Sequence, residues 1–146
     1  MPRVAAELLP AALLARALLR GNEHAWPVDE IPQVIEAARK ANLVSIGGQL
    51  QFRLPNGGTC ECYWVQVDTY QSVEKSLPWR ERVERTAEAG ARDFAALRSN
   101  VDFLAEARER FAGHLDAEVA DGRDPLDSMF FVWDLLTEEE ATAQGF

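Results

Sequence analysis

The side chains of this 146-residue chain best suited by type to chemistry are Cys60, Cys62, His24 and His114. A thiolate beside an imidazole, with a carboxylate orienting the ring, makes a nucleophilic site. Two thiolates and two imidazoles could also fill the four positions of a closed zinc site. Neither arrangement is written in the spacing. Only Glu61 separates the two cysteines, whereas zinc-binding cysteine pairs are two to four residues apart. The two histidines lie far apart and form no local pair. There is no Gly-x-Ser-x-Gly elbow, and no expected strand-to-helix turn carries a cysteine. On a strand, residues 60 and 62 point to the same side, so a bridge between them would distort the chain. The reading is of free, half-buried thiols in a reducing compartment, with no metal and no cofactor. Asn56-Gly57-Gly58 lacks the Lys-Ser/Thr of a phosphate-binding loop and reads as a hairpin turn.

Charge says more about partners. The chain carries 15 basic and 24 acidic side chains, net −9. Nucleic acid and anionic membrane surfaces select the opposite sign, so both are poor partners. The excess is uneven. Residues 112–146 hold Asp116, Glu118, Asp121, Asp124, Asp127, Asp134, Glu138, Glu139 and Glu140 against Arg123 alone, a net of −8 with His114 neutral. The ordinary reading of such an end is a solvated face that aids solubility. The functional reading is an anionic surface for a basic protein partner. Tyr63 and Trp64 are adjacent and fall on opposite faces of an expected strand, which leaves one of them exposed as a contact anchor.

The elements that would carry these groups follow from periodicity. Ala5–Arg20 is rich in strong helix formers and stops at Gly21-Asn22. Asp29 caps a second helix with Pro32 in its first turn, and Ile31, Val34, Ile35, Ala38 and Leu43 trace its buried stripe. Trp26, in a turn before Pro27, would pin these two helices to the sheet. Val44–Leu54 alternates apolar and polar residues, Pro55–Gly58 turns, and Thr59–Asp68 returns as a strand. Gly47-Gly48 inside the first strand marks a bulge or a close backbone approach. The strip Gln49, Gln51, Arg53 would face water. Thr69–Ser76 is a polar connection. From Trp79 to Phe111 a three/four spacing predicts one helix of about 33 residues, the alternative being a break at Ser99, where Ser99 with Asp102 resembles a capping pair. The apolar run Met129–Leu136 fits a third strand, although Leu126, Met129, Phe130 and Trp133 also share a helix face.

The expected architecture is one α+β domain over 1–146: two N-terminal helices, an antiparallel hairpin with a C-terminal third strand, and a long helix on the sheet, with 137–146 as a flexible acidic tail. No stretch has the length and apolarity of a membrane span or signal peptide, so the default compartment is the cytoplasm. The leading functional expectation is a non-catalytic acidic protein that docks a basic protein surface. An immunity protein or inhibitor occluding a toxin or nuclease active site is the example. Its contact residues would be Tyr63, Trp64, Asp116, Asp121, Asp127, Glu138, Glu139 and Glu140. The alternative is a small enzyme or ligand-binding domain with a pocket between the hairpin and the long helix, using the Cys and His residues. A homodimer joined around Trp133 is the third.

Overall fold

A computed structural model of the chain describes residues 4–69 and 74–146. The expected polar connection Thr69–Ser76 lies partly outside them.

The central element is the predicted hairpin. Strand β3 (Val44–Arg53) pairs antiparallel with β4 (Thr59–Asp68). In the turn only Gly57 takes positive φ, at 94°. Asn56 contributes its side chain instead, accepting from the Gly58 N–H at 2.7 Å. The expected third strand is present as two pieces, β5 (Met129–Val132) and β6 (Asp134–Leu136), both antiparallel to β3. Their chain enters through a single 3-10 turn, Pro125–Ser128, capped by Asp124 on the Leu126 N–H.

The N-terminal segment departs from expectation. The helix predicted over Ala5–Arg20 is a 3-10 turn (Ala5–Leu8), one turn of α-helix (α1, Ala11–Leu14) and a strand, β1 (Leu18–Arg20). Pro10 is the physical cause of the split: Leu9 before it is extended (φ −74°, ψ 159°), as steric conflict with the proline ring requires. Gly21-Asn22 is a hairpin turn rather than a helix stop, with Gly21 at φ 59°. It joins β1 to β2 (Glu23–Pro27). Trp26 is therefore a strand residue, and its indole N–H donates to the Leu13 carbonyl at 2.9 Å.

The sheet runs β1-β2-β5-β3-β4, with β6 pairing the far end of β3. Registers align Trp26, Phe131, Leu50 and Cys62 in one row across four strands. All four are 0% exposed, and this row is the floor of the core. Helix α2 (Ile31–Lys40) and helix α3 (Trp79–Asn100) pack with it. Phe94 of α3 meets Phe131 edge-on at 5.1 Å between centroids, and the Thr86 hydroxyl accepts from the Ser45 N–H at 3.1 Å. Asp29 does not cap α2, which is entered through a 3-10 turn with Glu30 at the N-cap and no side-chain cap bond. Asp29 accepts from Arg98 of α3 instead, at 3.0 Å.

The single long helix is two. Val101 is extended, and Asp102 caps helix α4 (Phe103–Ala120) by accepting from the Ala105 N–H at 3.1 Å. The residues Gly113–Asp124, read as loop or short helix, largely continue α4, which kinks at Phe111 (φ −121°, ψ 22°). The acidic end forms helix α5 (Glu138–Gln144), opened by a reciprocal capping box between Thr137 and Glu140.

The strip Gln49, Gln51, Arg53 is not a solvent face. Gln51 and Arg53 are 1% and 3% exposed. The Arg53 guanidinium donates to the Leu18 and Glu23 carbonyls of the β1–β2 hairpin and to the Gln51 side chain. Five donors in a planar fork let it enter the interior against carbonyl oxygens alone. Arg20 completes the clasp, reaching the Gly58 carbonyl, the Thr59 hydroxyl and the Leu54 carbonyl, each at 2.8 Å.

Candidate protein-docking surface

The register of β3 and β4 breaks once. Gln49 pairs with Gln66 and Leu50 with Cys62, so Tyr63, Trp64 and Val65 of β4 have no partner on β3. The alternation of burial changes phase here: Cys60 and Cys62 point inward before the bulge, Val65 and Val67 after it. A bulge re-aims side chains. It overturns the expectation that Tyr63 and Trp64 lie on opposite faces, since their rings meet edge-on with centroids 5.2 Å apart.

Helix α4 supplies the other half of the cluster. The Trp64 indole N–H donates to Glu106 at 2.9 Å, and its ring stacks on Phe111 (6.5 Å, 14°). Arg110, one turn beyond Glu106, donates to the Tyr63 hydroxyl at 2.8 Å. Its guanidinium carbon stands 5.4 Å from the Tyr63 ring and 4.9 Å from the Trp64 ring. Cation–π contacts of this exposed kind contribute about 0.5–1 kcal/mol each. They hold a rigid aromatic platform at the surface: Tyr63 is 53% exposed and Trp64 half-buried. Glu106, Arg110 and Phe111 were not among the sequence candidates. Phe111 was marked only as the end of the apolar helical stripe, and Glu106 and Arg110 only by their i, i+4 spacing, which any solvated helix face shares.

The predicted carboxylates divide. Asp116 lies on α4 beyond the cluster and Asp121 at its C-cap, paired with Arg108 (2.8 Å) and Arg123 (3.1 Å). Arg123 also pairs with the buried Glu118, and this bond holds its pKa above the ordinary value. Asp127 is exposed in the turn before β5, whose first residue pairs with Phe52 of β3. Glu138, Glu139 and Glu140 sit at the start of α5, which packs by Ala141 near Val44, at the other end of β3. Eight residues of strand separate those ends, roughly 26 Å. The six therefore do not form one patch: three accompany the end near Phe52 and three the end near Val44.

The nucleophilic constellation is not assembled. Cys60 and Cys62 are free and buried on the core side of β4. Burial is the main reason their thiols are pushed up, Cys62 to about 12, and neither is a thiolate near neutral pH. His24 lies on β2, three strand spacings from β4, about 14 Å. Burial lowers its pKa, with Arg53 in the same direction and Glu7 opposing. His114 is exposed beside Phe111. Among the described residues no group of three or more His, Cys, Asp or Glu is placed to hold a metal ion, and no helix is long and apolar enough to cross a membrane. One open groove of about 860 Å³ runs between the Leu8–Leu13 segment and α2. Its walls are mainly aliphatic, with Arg16, Glu36 and Lys40 among its charged lining. Trp133, expected at a homodimer contact, is 2% exposed and bonds to the Ser45 hydroxyl at 3.2 Å, so it is core.

Fold and surface together define an α+β protein that presents an aromatic platform on a bulged outer strand, with helix α4 running past it. No family model, curated protein or solved structure matches the chain.

Proposed function

We propose that this chain is a non-catalytic binding protein that docks a basic protein surface through Tyr63, Trp64, Arg110 and Phe111, with the carboxylates of α4 along the rim. One observation carries the reading: a half-exposed tyrosine held edge-on to a tryptophan beneath an arginine. Tyrosine, tryptophan and arginine are the residues that dominate binding energy at protein interfaces, and a platform already ordered costs little entropy to use. The net charge of −9 supplies long-range attraction to a cationic partner and accelerates encounter. An inhibitor or immunity protein that covers the cationic substrate site of a nuclease or toxin has this chemistry. Its carboxylates would stand where substrate phosphates bind.

The test replaces Tyr63 with a photo-reactive phenylalanine analogue in the producing cell, with the exposed Gln66, beyond the bulge, as the control position. The reading expects one cross-linked species from position 63, absent from position 66, whose purified partner binds the chain with salt-sensitive affinity. Identical products from both positions, or an acidic partner, would contradict it.

A further inference from the structure

The platform sits on a strand whose outer edge is unpaired. Strand β4 ends the sheet, and among the described residues nothing pairs with its outer side. The backbone pattern gives the groups on that side. The Leu54 N–H donates to the Gly58 carbonyl at 2.8 Å. With antiparallel alternation this makes Phe52–Cys60 and Leu50–Cys62 the hydrogen-bonded pairs. Thr59 and Glu61 then direct their N–H and C=O groups outward, and the Tyr63 N–H, in the same peptide plane as the inward Cys62 carbonyl, also points outward. Beyond the bulge, the Thr69 N–H donates to the Ile46 carbonyl at 3.0 Å, and the same alternation turns Gln66 and Asp68 outward. The bulge interrupts the edge between these two stretches, leaving Thr59–Tyr63 as the longer continuous template.

We infer that Thr59–Tyr63 receives an extended lysine- or arginine-bearing segment of the partner protein as an added antiparallel or parallel strand, directly beside the Tyr63–Trp64 platform. This rests on the docking surface proposed above and names how the partner engages it. Strand addition supplies affinity through main-chain bonds and specificity through alternate side chains. Charge selects the occupant. The charged side chains along the edge are Glu61 and, past the bulge, Asp68; on the adjoining helix Glu106 is bonded to the Trp64 indole and Asp116 is paired with Arg108, and Arg20 is engaged at the Thr59 hydroxyl. Arg110 is engaged by the Tyr63 hydroxyl. A second copy of the chain is disfavoured: antiparallel self-pairing of Thr59–Tyr63 sets Glu61 opposite Glu61, a like-charge pair, between molecules of net −9. Edge charges and bulges are the devices by which sheets refuse such self-pairing.

The experiment measures amide hydrogen exchange by NMR in the full chain, with and without a synthetic octapeptide of alternating lysine and valine. A glutamate–valine octapeptide is the control. The inference expects the lysine peptide to slow exchange at Glu61 and Tyr63 by about tenfold or more, as new hydrogen bonds do, and the glutamate peptide to leave both unchanged. Glu61→Pro removes one outward N–H without touching the β3 ladder, and it should abolish the protection. If that variant loses its near-ultraviolet circular dichroism, Glu61→Lys replaces it and should weaken the lysine peptide at least several-fold. Edge amides that exchange at the same rate with saturating lysine peptide overturn strand addition, as does equal protection by both peptides. If the lysine peptide moves the Tyr63 and Trp64 side-chain signals while edge amides stay unprotected, strand addition fails and the docking surface stands.

Discussion

Replacing Gly48 with alanine should cost the protein much of its stability. A Cβ at Gly48 would lie 1.6 Å from the Val132 carbonyl oxygen and 2.4 Å from its carbon, both backbone atoms of β5. A carbon and an oxygen in contact need about 3.2 Å, so β3 and β5 must part by roughly 1.5 Å, which takes ladder bonds of about 2.9 Å past any useful length. Of the paired residues Leu50–Phe131, Gln51–Phe130 and Phe52–Met129, the hydrogen-bonded pair at risk is Gln51–Phe130, since Leu50 and Phe52 bond to β4. Two lost bonds at about 1 kcal/mol each, with about 1–3 kcal/mol of overpacking strain, sum to about 3–5 kcal/mol. Domains of this size are stable by about 5–15 kcal/mol, so the loss is severe. Urea unfolding followed by tryptophan fluorescence reads it directly, since Trp26 and Trp133 are buried. Gly113→Ala is the matched control: nothing lies within 4 Å of the added Cβ, and the residue is inside α4. It should stabilise by about 0.5–1 kcal/mol. If Gly48→Ala changes stability by less than about 0.5 kcal/mol, the close approach of β3 and β5 described here is wrong.

Other outcomes follow from single groups. Arg53→Met removes the clasp on the β1–β2 hairpin and leaves the Leu18 and Glu23 carbonyls without their donor; destabilisation of about 2–4 kcal/mol, with early loss of exchange protection in β1, is expected by denaturant unfolding. The Asp134 carboxyl is pushed up to about 6, first by burial and then by Glu23. Its surface is nonetheless open to water, so the direction holds while solvent screening keeps the energy below about 1 kcal/mol. A carboxyl raised in the folded state binds protons more readily there than in the unfolded chain, and stability therefore falls as pH rises from about 4 to 6. Asp134→Asn should flatten that slope and leave the protein slightly more stable at pH 7, measured by thermal unfolding across pH. Cys60 and Cys62 should resist a thiol reagent at pH 8 in the native protein and both react in urea; stoichiometric reaction of the native protein would contradict their burial.

What could be read from the sequence, and what could not, divides along the range of the interactions. The β3–β4 hairpin was legible because period-two alternation and a Pro-Asn-Gly-Gly turn are local signals. The close approach at Gly47-Gly48 was legible because a strand tolerates glycine poorly without a reason. Met129–Leu136 read as strand from its short apolar run. The N-terminal segment misled because helix propensity over Ala5–Arg20 was strong, whereas Pro10 and the pairing of Leu18–Arg20 with β2 overrode it. The break between α3 and α4 kept its apolar phase, so only Asp102 as a cap marked it, three residues after the cap expected at Ser99. Arg53 looked like a surface residue because charge alone predicts exposure, and its burial depends on carbonyls 30 or more residues away. At the docking surface the types Tyr63 and Trp64 could be picked out in the sequence. Their meeting could not, because the bulge that turns them together arises from pairing between strands. Glu106, Arg110 and Phe111 join them only through tertiary contact.

The central claim is best tested by the affinity of the purified chain for its cross-linked partner, measured by calorimetry at low and high salt, for the native protein and Tyr63→Ala. Loss of about 2 kcal/mol or more in the variant, close to thirtyfold, and at least tenfold weakening of the native pair at high salt are expected from an aromatic anchor inside a screened acidic rim. A partner that binds Tyr63→Ala as tightly as the native chain, or binds equally at both salt concentrations, would contradict the account.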